Sequence, residues 1–175
     1  MKKNLEQKAK LIRALVLDVD GVLSDGRITY DSQGREMKSF HVRDGAAIKW
    51  LQRAGIEVAI ITGRTSAPVK VRAKELGIQS VIQGALRKLP AFEKILKQTG
   101  LSARAVAYMG DDLLDLPILR RVGLSAAPAD AVPEVRAEVD LITRAKSGRG
   151  AVRELAELLL KTQGHWPKLM KRYNL

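Results

Sequence analysis

The stretch that decides the fold is residues 14–26, Ala-Leu-Val-Leu-Asp-Val-Asp-Gly-Val-Leu-Ser-Asp-Gly. Ala14–Leu17 is a short aliphatic run, typical of a strand buried on both faces of a parallel sheet. Because an ionised carboxylate is costly to bury without a partner, Asp18 and Asp20 are expected at the end of this strand, facing water or a cation. Side chains two residues apart leave a strand on the same side, so both carboxylates point into one small volume. Gly21 then allows a tight turn.

Two carboxylates held this close repel each other unless a divalent cation or a shared proton relieves them. The pair therefore suits a metal-assisted nucleophile with an acid/base neighbour. The same residues also fit a turn at the end of a strand, in which Asp18 caps and Asp20 is solvated, because Asp and Gly both favour turns. The choice between these two interpretations depends on the rest of the chain.

Composition limits the class of protein. With 175 residues, 46% of them hydrophobic, the chain can bury one sizeable core, so a single domain is expected. It has no cysteine, which excludes disulfides, thiolate metal sites and cysteine nucleophiles and fits a cytoplasmic protein. The longest apolar runs fall well short of the roughly 18 residues of a membrane span. We therefore expect no membrane segment and no signal peptide.

The formal net charge of +12 invites a nucleic-acid interpretation, so its location matters. Residues 1–13 carry five basic residues and one acidic residue, and residues 144–175 carry eight and two. The excess therefore lies mainly at the two ends of the chain. Nucleic-acid grooves usually combine charge with exposed aromatics, and aromatics are only 4% of this sequence. We do not expect nucleic-acid binding, because anionic ligands, subunit contacts or plain solubility explain the basic ends of the chain equally well.

Periodicity along the chain predicts strands that alternate with helices. The predicted strands are 14–17, 56–62, 80–82, 105–109, 124–126 and 140–142. The predicted helices are 3–12, 44–55 with Asp44 as N-cap, 68–76, 88–99, 113–122 and 151–161. A β-hairpin at about residues 27–42, turning at Ser32-Gln33-Gly34, interrupts the alternation. This order predicts an α/β fold, a doubly wound (Rossmann-like), mainly parallel sheet flanked by helices, with a hairpin insertion after the first strand.

Polar residues follow three of the predicted strands. In such sheets ligands bind beyond the carboxyl ends of the strands, and these ends read Asp18-Val19-Asp20, Thr62-Gly63-Arg64 and Gly110-Asp111-Asp112. Several carboxylates without cysteine suit a hard cation such as Mg²⁺ rather than zinc. The Thr62 hydroxyl and the N–H groups around Gly63 could hold phosphoryl oxygens. A surface turn at Thr62 and a solvated Lys88 at a helix start are the simpler alternatives.

In this order and spacing, Asp18-Val19-Asp20-Gly21-Val22, Thr62-Gly63-Arg64, Lys88 and Gly110-Asp111-Asp112 resemble the four motifs of the haloacid dehalogenase superfamily of phosphatases. The resemblance extends, over roughly residues 5–164, to the family of 3-deoxy-D-manno-octulosonate 8-phosphate phosphatases. Three further segments carry it: Leu23-Ser24-Asp25-Gly26, Val42-Arg43-Asp44-Gly45 and Gly148-Arg149-Gly150-Ala151-Val152-Arg153-Glu154. That family acts in the route to lipopolysaccharide, and its relatives include phosphatases of nine-carbon nonulosonate 9-phosphates.

The resemblance implies catalytic roles for Asp18, Asp20, Thr62 and Lys88. Asp18 would attack phosphorus, and Asp20 would protonate the leaving sugar oxygen and then activate water. Mg²⁺ would be held by Asp18, Asp111 and the backbone carbonyl of Asp20, while Thr62 and Lys88 steady the phosphoryl group. Behind these groups, Asp112 and Asp115 would support the site.

The resemblance also implies a sugar-acid site, since arginine holds carboxylates through two parallel hydrogen bonds. The implied substrate-binding residues are Asp20, His41, Val42, Arg43, Asp44, Gly45, Lys49, Gly63, Arg64, Arg72, Lys88 and Arg149. His41 and Lys49 depart from the asparagine and arginine expected there, which leaves a nonulosonate 9-phosphate open as the alternative substrate. A helix cap is the simpler interpretation of Asp44.

Only about 20 residues separate the first motif from the next helix, so no separate cap domain is expected. The resemblance implies a homotetramer assembled through the hairpin, with a neighbour's carboxy-terminal segment closing the site beside Arg149. We expect a phosphatase domain over residues 1–164 and a basic tail over 165–175. The alternative of another class is a non-catalytic binding module that uses its basic termini. A phosphorylated receiver domain fits less well, because of the early Asp-x-Asp-Gly and the hairpin.

Overall fold

A computed structural model describes residues 2–174 of the chain. Its strands are β1 (Ala14–Leu17), β2 (Thr29–Tyr30), β3 (Glu36–Met37), β4 (Glu57–Ile61), β5 (Ser80–Ile82), β6 (Val106–Met109), β7 (Leu124–Ala127) and β8 (Leu141–Ile142). Its helices are α1 (Lys2–Leu11), α2 (Val42–Arg53), α3 (Ala67–Leu76), α4 (Lys88–Thr99), α5 (Leu116–Leu119), α6 (Pro133–Arg136), α7 (Ala151–Thr162) and α8 (Trp166–Lys171). Short 3-10 turns cover Ala103–Ala105 and Leu113–Asp115.

Six of the strands form one sheet in the order β5-β4-β1-β6-β7-β8, and every neighbouring pair is parallel. β1 lies between β4 and β6 and is buried along its whole length. Its alternate side chains enter two different cores: Leu15 and Leu17 pack with α1, α2, α3 and α7, and Val16 packs with α4, α5 and α6. The predicted doubly wound α/β fold is therefore confirmed.

The predicted hairpin is present as an antiparallel pair, with Thr29 opposite Met37 and Tyr30 opposite Glu36. Its strands are shorter than the expected span of about 27–42. The turn is closed by Asp31, whose side chain accepts hydrogen bonds from the backbone N–H groups of Gln33 and Arg35, both at 2.9 Å. Among the described residues, only this hairpin and irregular segments separate β1 from α2, as expected for a chain without a separate cap domain.

The predicted N-cap of α2 was wrong. The helix begins at Val42 with His41 in the capping position, and Asp44 lies in its first turn, 1% exposed. Asp44 accepts the backbone N–H of Arg153 at 2.7 Å and that of Gly150 at 3.1 Å. It therefore caps α7, a helix more than 100 residues further along the chain, because buried N–H groups at a helix start need an acceptor.

The predicted helix over 113–122 was also too long. The chain forms a 3-10 turn closed by a capping box between Asp112 and Asp115, and only then α5. Pro117 lies in the first turn of α5 and has no N–H to donate. Regular α-helical hydrogen bonding therefore cannot extend back to Leu113.

The carboxy-terminal segment folds onto the domain through a helix that periodicity did not predict. Trp166 of α8 meets Trp50 of α2 edge to face at 6.2 Å between ring centroids, and the Trp50 indole donates a 3.1 Å hydrogen bond to the Tyr173 hydroxyl. Arg153 lies over the Trp50 ring and Lys161 over the Trp166 ring. A cavity of about 230 Å³ beneath α8 lies near Arg53, at the far end of α2 from Val42.

Within residues 2–174, no helix has the length and apolar character needed to cross a bilayer.

Candidate active site

Three polar segments meet at the carboxyl edge of the sheet. Asp18 follows β1, Thr62 follows β4 and Asp111 comes two residues after β6, and these three strands are direct neighbours. Asp18 is 6% exposed and Thr62 2% exposed, so both residues are buried at this edge of the sheet rather than exposed in a surface turn. The interpretation of Asp18 as a capping residue of a surface turn therefore does not fit.

Lys88 joins this edge from the first residue of α4. Its ammonium lies 2.7 Å from Asp18 Oδ2 and 2.7 Å from Asp115 Oδ1, and the residue is only 4% exposed. Burial opposes the charge, yet the two carboxylates hold the pKa of Lys88 above its ordinary value. Lys88 is therefore a buried cation fixed between two anions, not a solvated lysine at a helix start.

Asp115 is fully buried and holds the site together. Its Oδ1 accepts hydrogen bonds from Lys88 at 2.7 Å and from the Tyr108 hydroxyl at 2.5 Å. Its Oδ2 accepts the backbone N–H groups of Asp111 at 3.0 Å and Asp112 at 3.2 Å. Asp112 itself is exposed and caps the following turn through Leu113. Asp115 thus fixes both Lys88 and the loop that carries Asp111.

Oxygens of Asp18, Asp111 and Asp115 lie within 4.8 Å of one another, the spacing of a metal site. Asp111 Oδ1 is buried and has no hydrogen-bond partner among the described residues. Burial, with Asp18 and Asp115 adding repulsion, raises the pKa of Asp111 to about 8, and burial together with Asp115 raises the pKa of Asp18 to about 6. A divalent cation would give Asp111 Oδ1 a partner, and its charge would favour the ionised forms of Asp111 and Asp18. These carboxylate oxygens therefore fit Mg²⁺.

The backbone at Gly21 is shaped to admit the Asp111 carboxylate. Gly21 has a φ of +82°, and a Cβ at this position would collide with the Asp111 side chain.

Of the three clustered carboxylates, Asp115 already accepts two hydrogen bonds on each oxygen. Asp18 and Asp111 are therefore the side chains left to hold a cation.

A second cluster surrounds Asp20 and was missed by the sequence analysis. Asp20 Oδ1 is in a salt bridge with Lys38, whose side chain is fully buried. Lys38 also lies 3.3 Å from Glu36, and Glu36 accepts a 3.3 Å hydrogen bond from Arg64. The alternation at Glu36-Met37-Lys38 could have placed Glu36 and Lys38 on one face of the hairpin. It could not have shown which face turns towards Asp20. Tyr108, inside a buried strand, was missed for the same reason.

Other predicted substrate-binding residues lie around the start of α2. Val42 is 76% exposed and Arg43 is exposed, so both are free to meet a ligand. His41 Nδ1 is buried without a hydrogen-bond partner among the described residues and lies 3.6 Å from Asp44 Oδ2. Asp44 itself is buried beneath them as the cap of α7. Arg149 is exposed on the loop that precedes α7, which brings it to the same side as His41.

Arg72 lies in a groove of about 540 Å³ between the hairpin and α3, which also includes Lys38, Phe40 and Glu75. The guanidinium donates a 2.9 Å hydrogen bond to Glu75 and lies 5.8 Å from the centre of the Phe40 ring. A side chain at Gly45 would collide with Arg72, so this glycine makes room for the arginine.

Lys49 lies further along α2, one turn beyond Gly45. Its ammonium lies 3.5 Å from where a Cβ of Gly77 would be, at the end of α3. Gly77 leads into β5, so it lies towards the edge of the sheet at which the strands begin. The remaining predicted residues, Gly63 and Arg64, follow β4 directly at the carboxyl edge.

Comparison with known protein families identifies the class of protein to which this fold and site belong. Residues 38–123 match the family model of haloacid dehalogenase-like hydrolases. Together with the parallel sheet and the residues at its carboxyl edge, this match defines the chain as a hydrolase of that class.

Closer relatives narrow the class. The protein named 3-deoxy-D-manno-octulosonate 8-phosphate phosphatase KdsC in Escherichia coli K12 is 50% identical over 157 residues, which are 90% of this chain and 84% of that protein. The 3-deoxy-D-manno-octulosonate 8-phosphate phosphatase from Moraxella catarrhalis was crystallised with a magnesium ion, a phosphate ion and a KDO molecule. It is 44% identical, and the match covers 99% of both chains with a TM-score of 0.96. The Yersinia pestis phosphatase is 46% identical, covers 93% of this chain and 88% of that one, and has a TM-score of 0.91.

The chain therefore belongs to the family of 3-deoxy-D-manno-octulosonate 8-phosphate phosphatases. The resemblance found from the motifs is confirmed. Neither a nonulosonate 9-phosphate phosphatase nor a non-catalytic binding module is favoured by these matches.

Proposed function

We propose that this chain is a magnesium-dependent phosphatase that hydrolyses 3-deoxy-D-manno-octulosonate 8-phosphate to the free sugar acid and inorganic phosphate. The observation that carries the proposal is the meeting of Asp18, Asp111 and Lys88 at one edge, with Asp111 Oδ1 buried and unsatisfied. The family membership of the chain supports this substrate.

Asp18 is the proposed nucleophile. A carboxylate oxygen of Asp18 attacks phosphorus, and the bond from phosphorus to the sugar oxygen breaks as Asp20 gives that oxygen a proton. Water then attacks the phosphoryl group on Asp18, Asp20 takes its proton, and the bond from phosphorus to Asp18 breaks to release phosphate. Proton transfer of this kind typically contributes about 10²- to 10⁴-fold in rate.

Asp18, Asp111 and the backbone carbonyl of Asp20 would hold Mg²⁺, which would supply positive charge beside the transferring phosphoryl oxygens. Lys88 supplies a second positive charge and is oriented by Asp115. The hydroxyl of Thr62 and the backbone at Gly63 complete the contacts to the phosphoryl group.

The sugar acid would extend from this edge towards the hairpin and the start of α2. Arg64, Arg72, Arg43 and Arg149 offer guanidinium groups on that side, and a carboxylate is held well by such a group. The exposed Val42 and the neighbouring His41 and Gly45 would form the wall. Lys49 would meet a part of the sugar acid that extends along α2 in the direction of Gly77.

We further propose a homotetramer that assembles through the hairpin and acts in the cytoplasm. Ile28, Tyr30 and Met37 of the hairpin are 49%, 56% and 50% exposed, which supports a contact surface there. Residues 1–164 would form the phosphatase domain, with 165–175 as a basic appendage; Met1 and Leu175 lie outside the described residues. Light scattering of the wild type and of Met37→Glu would test the assembly: a tetramer that persists in the variant would contradict the hairpin contact.

The substrate assignment is tested by initial rates of phosphate release over a panel of sugar phosphates, with excess Mg²⁺ and with a chelator. The expected result is preference for 3-deoxy-D-manno-octulosonate 8-phosphate over a nonulosonate 9-phosphate, with activity lost on chelation and restored by Mg²⁺. Equal turnover of unrelated phosphates, or rates indifferent to the chelator, would overturn the proposal.

A further inference from the structure

Lys38 stands out as a buried cation that the proposed chemistry does not yet use. Its side chain has no exposure to solvent, although the hairpin that carries it is otherwise largely exposed. Burying an ammonium costs several kcal/mol unless anions compensate it. Here the compensation comes from two carboxylates, Asp20 and Glu36.

The two carboxylates that contact Lys38 belong to different parts of the molecule and have different roles. Glu36 lies on the hairpin and also pairs with Arg64. Asp20 lies at the carboxyl edge and is the proposed acid and base. Its Oδ1 is taken by Lys38, with the Ser24 hydroxyl at 3.5 Å, while Oδ2 accepts no hydrogen bond from residues 2–174. One oxygen is therefore anchored, and the other is left for proton transfer.

We propose that Lys38 is a positioning residue that fixes the carboxyl group of Asp20 for proton transfer to the leaving oxygen. Asp20 lies in the turn after β1, where its carboxyl group can rotate about two side-chain bonds. Only some of these orientations reach a leaving oxygen at hydrogen-bond distance. The salt bridge with Lys38 restricts that rotation, so that the hairpin completes the acid/base arrangement. The inference rests on the proposed function, in which Asp20 is the group that moves the proton.

If Lys38 positions Asp20 for proton transfer, the loss of rate on replacing Lys38 should depend on the leaving group of the substrate. A sugar alkoxide leaves poorly and needs the proton, whereas p-nitrophenolate is stable as an anion and leaves without it. In Lys38→Met, the rate of the first phosphoryl transfer to Asp18 is expected to fall about 10- to 100-fold for the sugar phosphate but less than about threefold for p-nitrophenyl phosphate. KM for the sugar phosphate is expected to stay within about threefold, because positioning acts on the transition state.

The experiment measures rapid-quench first-turnover rates on both substrates in excess Mg²⁺, and steady-state KM for the sugar phosphate. It compares wild type, Lys38→Met, Lys38→Arg and Lys97→Met. Lys97 is exposed on α4 and serves as the matched control. The ratio of the two rates does not depend on the fraction of protein that is folded, so a destabilised variant remains informative. Lys38→Arg, which keeps a cationic donor, is expected to recover part of the ratio.

Equal losses on the two substrates, or no loss on either, would overturn the role of Lys38. A loss expressed mainly as a higher KM would also overturn it, in favour of substrate binding by Lys38. Wild-type protein that releases no phosphate from the sugar phosphate would instead defeat the proposed function itself. The two failures are therefore distinguishable.

Discussion

The ammonium of Lys88 lies 2.7 Å from Asp18 Oδ2, and both side chains are almost completely buried. A pair of this kind stabilises a fold little, because the cost of removing two charges from water offsets their attraction. Its value lies in geometry: it holds a cation beside the carboxylate that would attack phosphorus.

Replacing Lys88 by Met should lower kcat for the sugar phosphate by at least about 10²-fold, the usual effect of removing a fixed group that stabilises transition-state charge. It should also lower stability, since Asp18 and Asp115 lose the cation between them. Steady-state phosphate release and urea unfolding would measure the two effects. Lys94→Met, an exposed lysine on the same helix, should match the wild type in both. A fully active Lys88→Met protein would disprove the assignment.

Asp44→Ala should destabilise the protein by about 1–2 kcal/mol, because the N–H groups of Gly150 and Arg153 would lose their acceptor at the start of α7. Urea unfolding measures this loss, with Glu93→Ala, an exposed acidic residue, as the control. If Asp44 contacts the sugar as well, KM will rise in folded protein. Unchanged stability would contradict the capping role.

Trp166→Ala should lower stability by about 1–2 kcal/mol, since the Trp50 ring loses its edge-to-face partner and Lys161 loses the ring beneath it. Phosphatase activity should persist in the folded protein, because this cluster lies at the far end of α2 from the site. Leu11→Ala, at an exposed leucine, is the comparison for unfolding. A variant as stable as the wild type would mean that α8 is only loosely attached.

The ionisation of Asp140 makes the stability of the protein depend on pH, because its pKa in the folded state lies below the ordinary value. Burial alone would raise the pKa of Asp140, but hydrogen bonds from Lys8 and Ser125 and the charge of Lys8 hold it below its ordinary value of 3.8. The stabilisation is therefore present above that value and is lost as the pH falls through the lower pKa of the folded state. Relative to Asp140→Asn, the wild type should be more stable by about 1 kcal/mol at neutral pH, a difference that shrinks below about pH 4. A difference that grows in acid would contradict this account.

Much of the site followed from sequence because parallel strands share a carboxyl edge. Asp18, Thr62 and Asp111 could be placed together from strand order alone, and Lys88 joined them through the motif that it shares with the superfamily. What sequence could not provide were contacts between segments with no common periodicity. Asp44 caps a helix that begins at Ala151, Tyr108 reaches Asp115 from inside the sheet, and Lys38 depends on how the hairpin folds back. Each is set by tertiary packing rather than by local pattern.

In the proposed mechanism, Asp18 carries the phosphoryl group during turnover. Wild-type protein and Asp18→Asn would be mixed with 3-deoxy-D-manno-octulosonate 8-phosphate and Mg²⁺, quenched during turnover and reduced with borohydride, which converts an aspartyl phosphate to homoserine. Peptide mass spectrometry should find homoserine at position 18 of the wild type and none in Asp18→Asn, which should be folded and inactive. Phosphate release by Asp18→Asn, or trapping at another aspartate, would contradict the account.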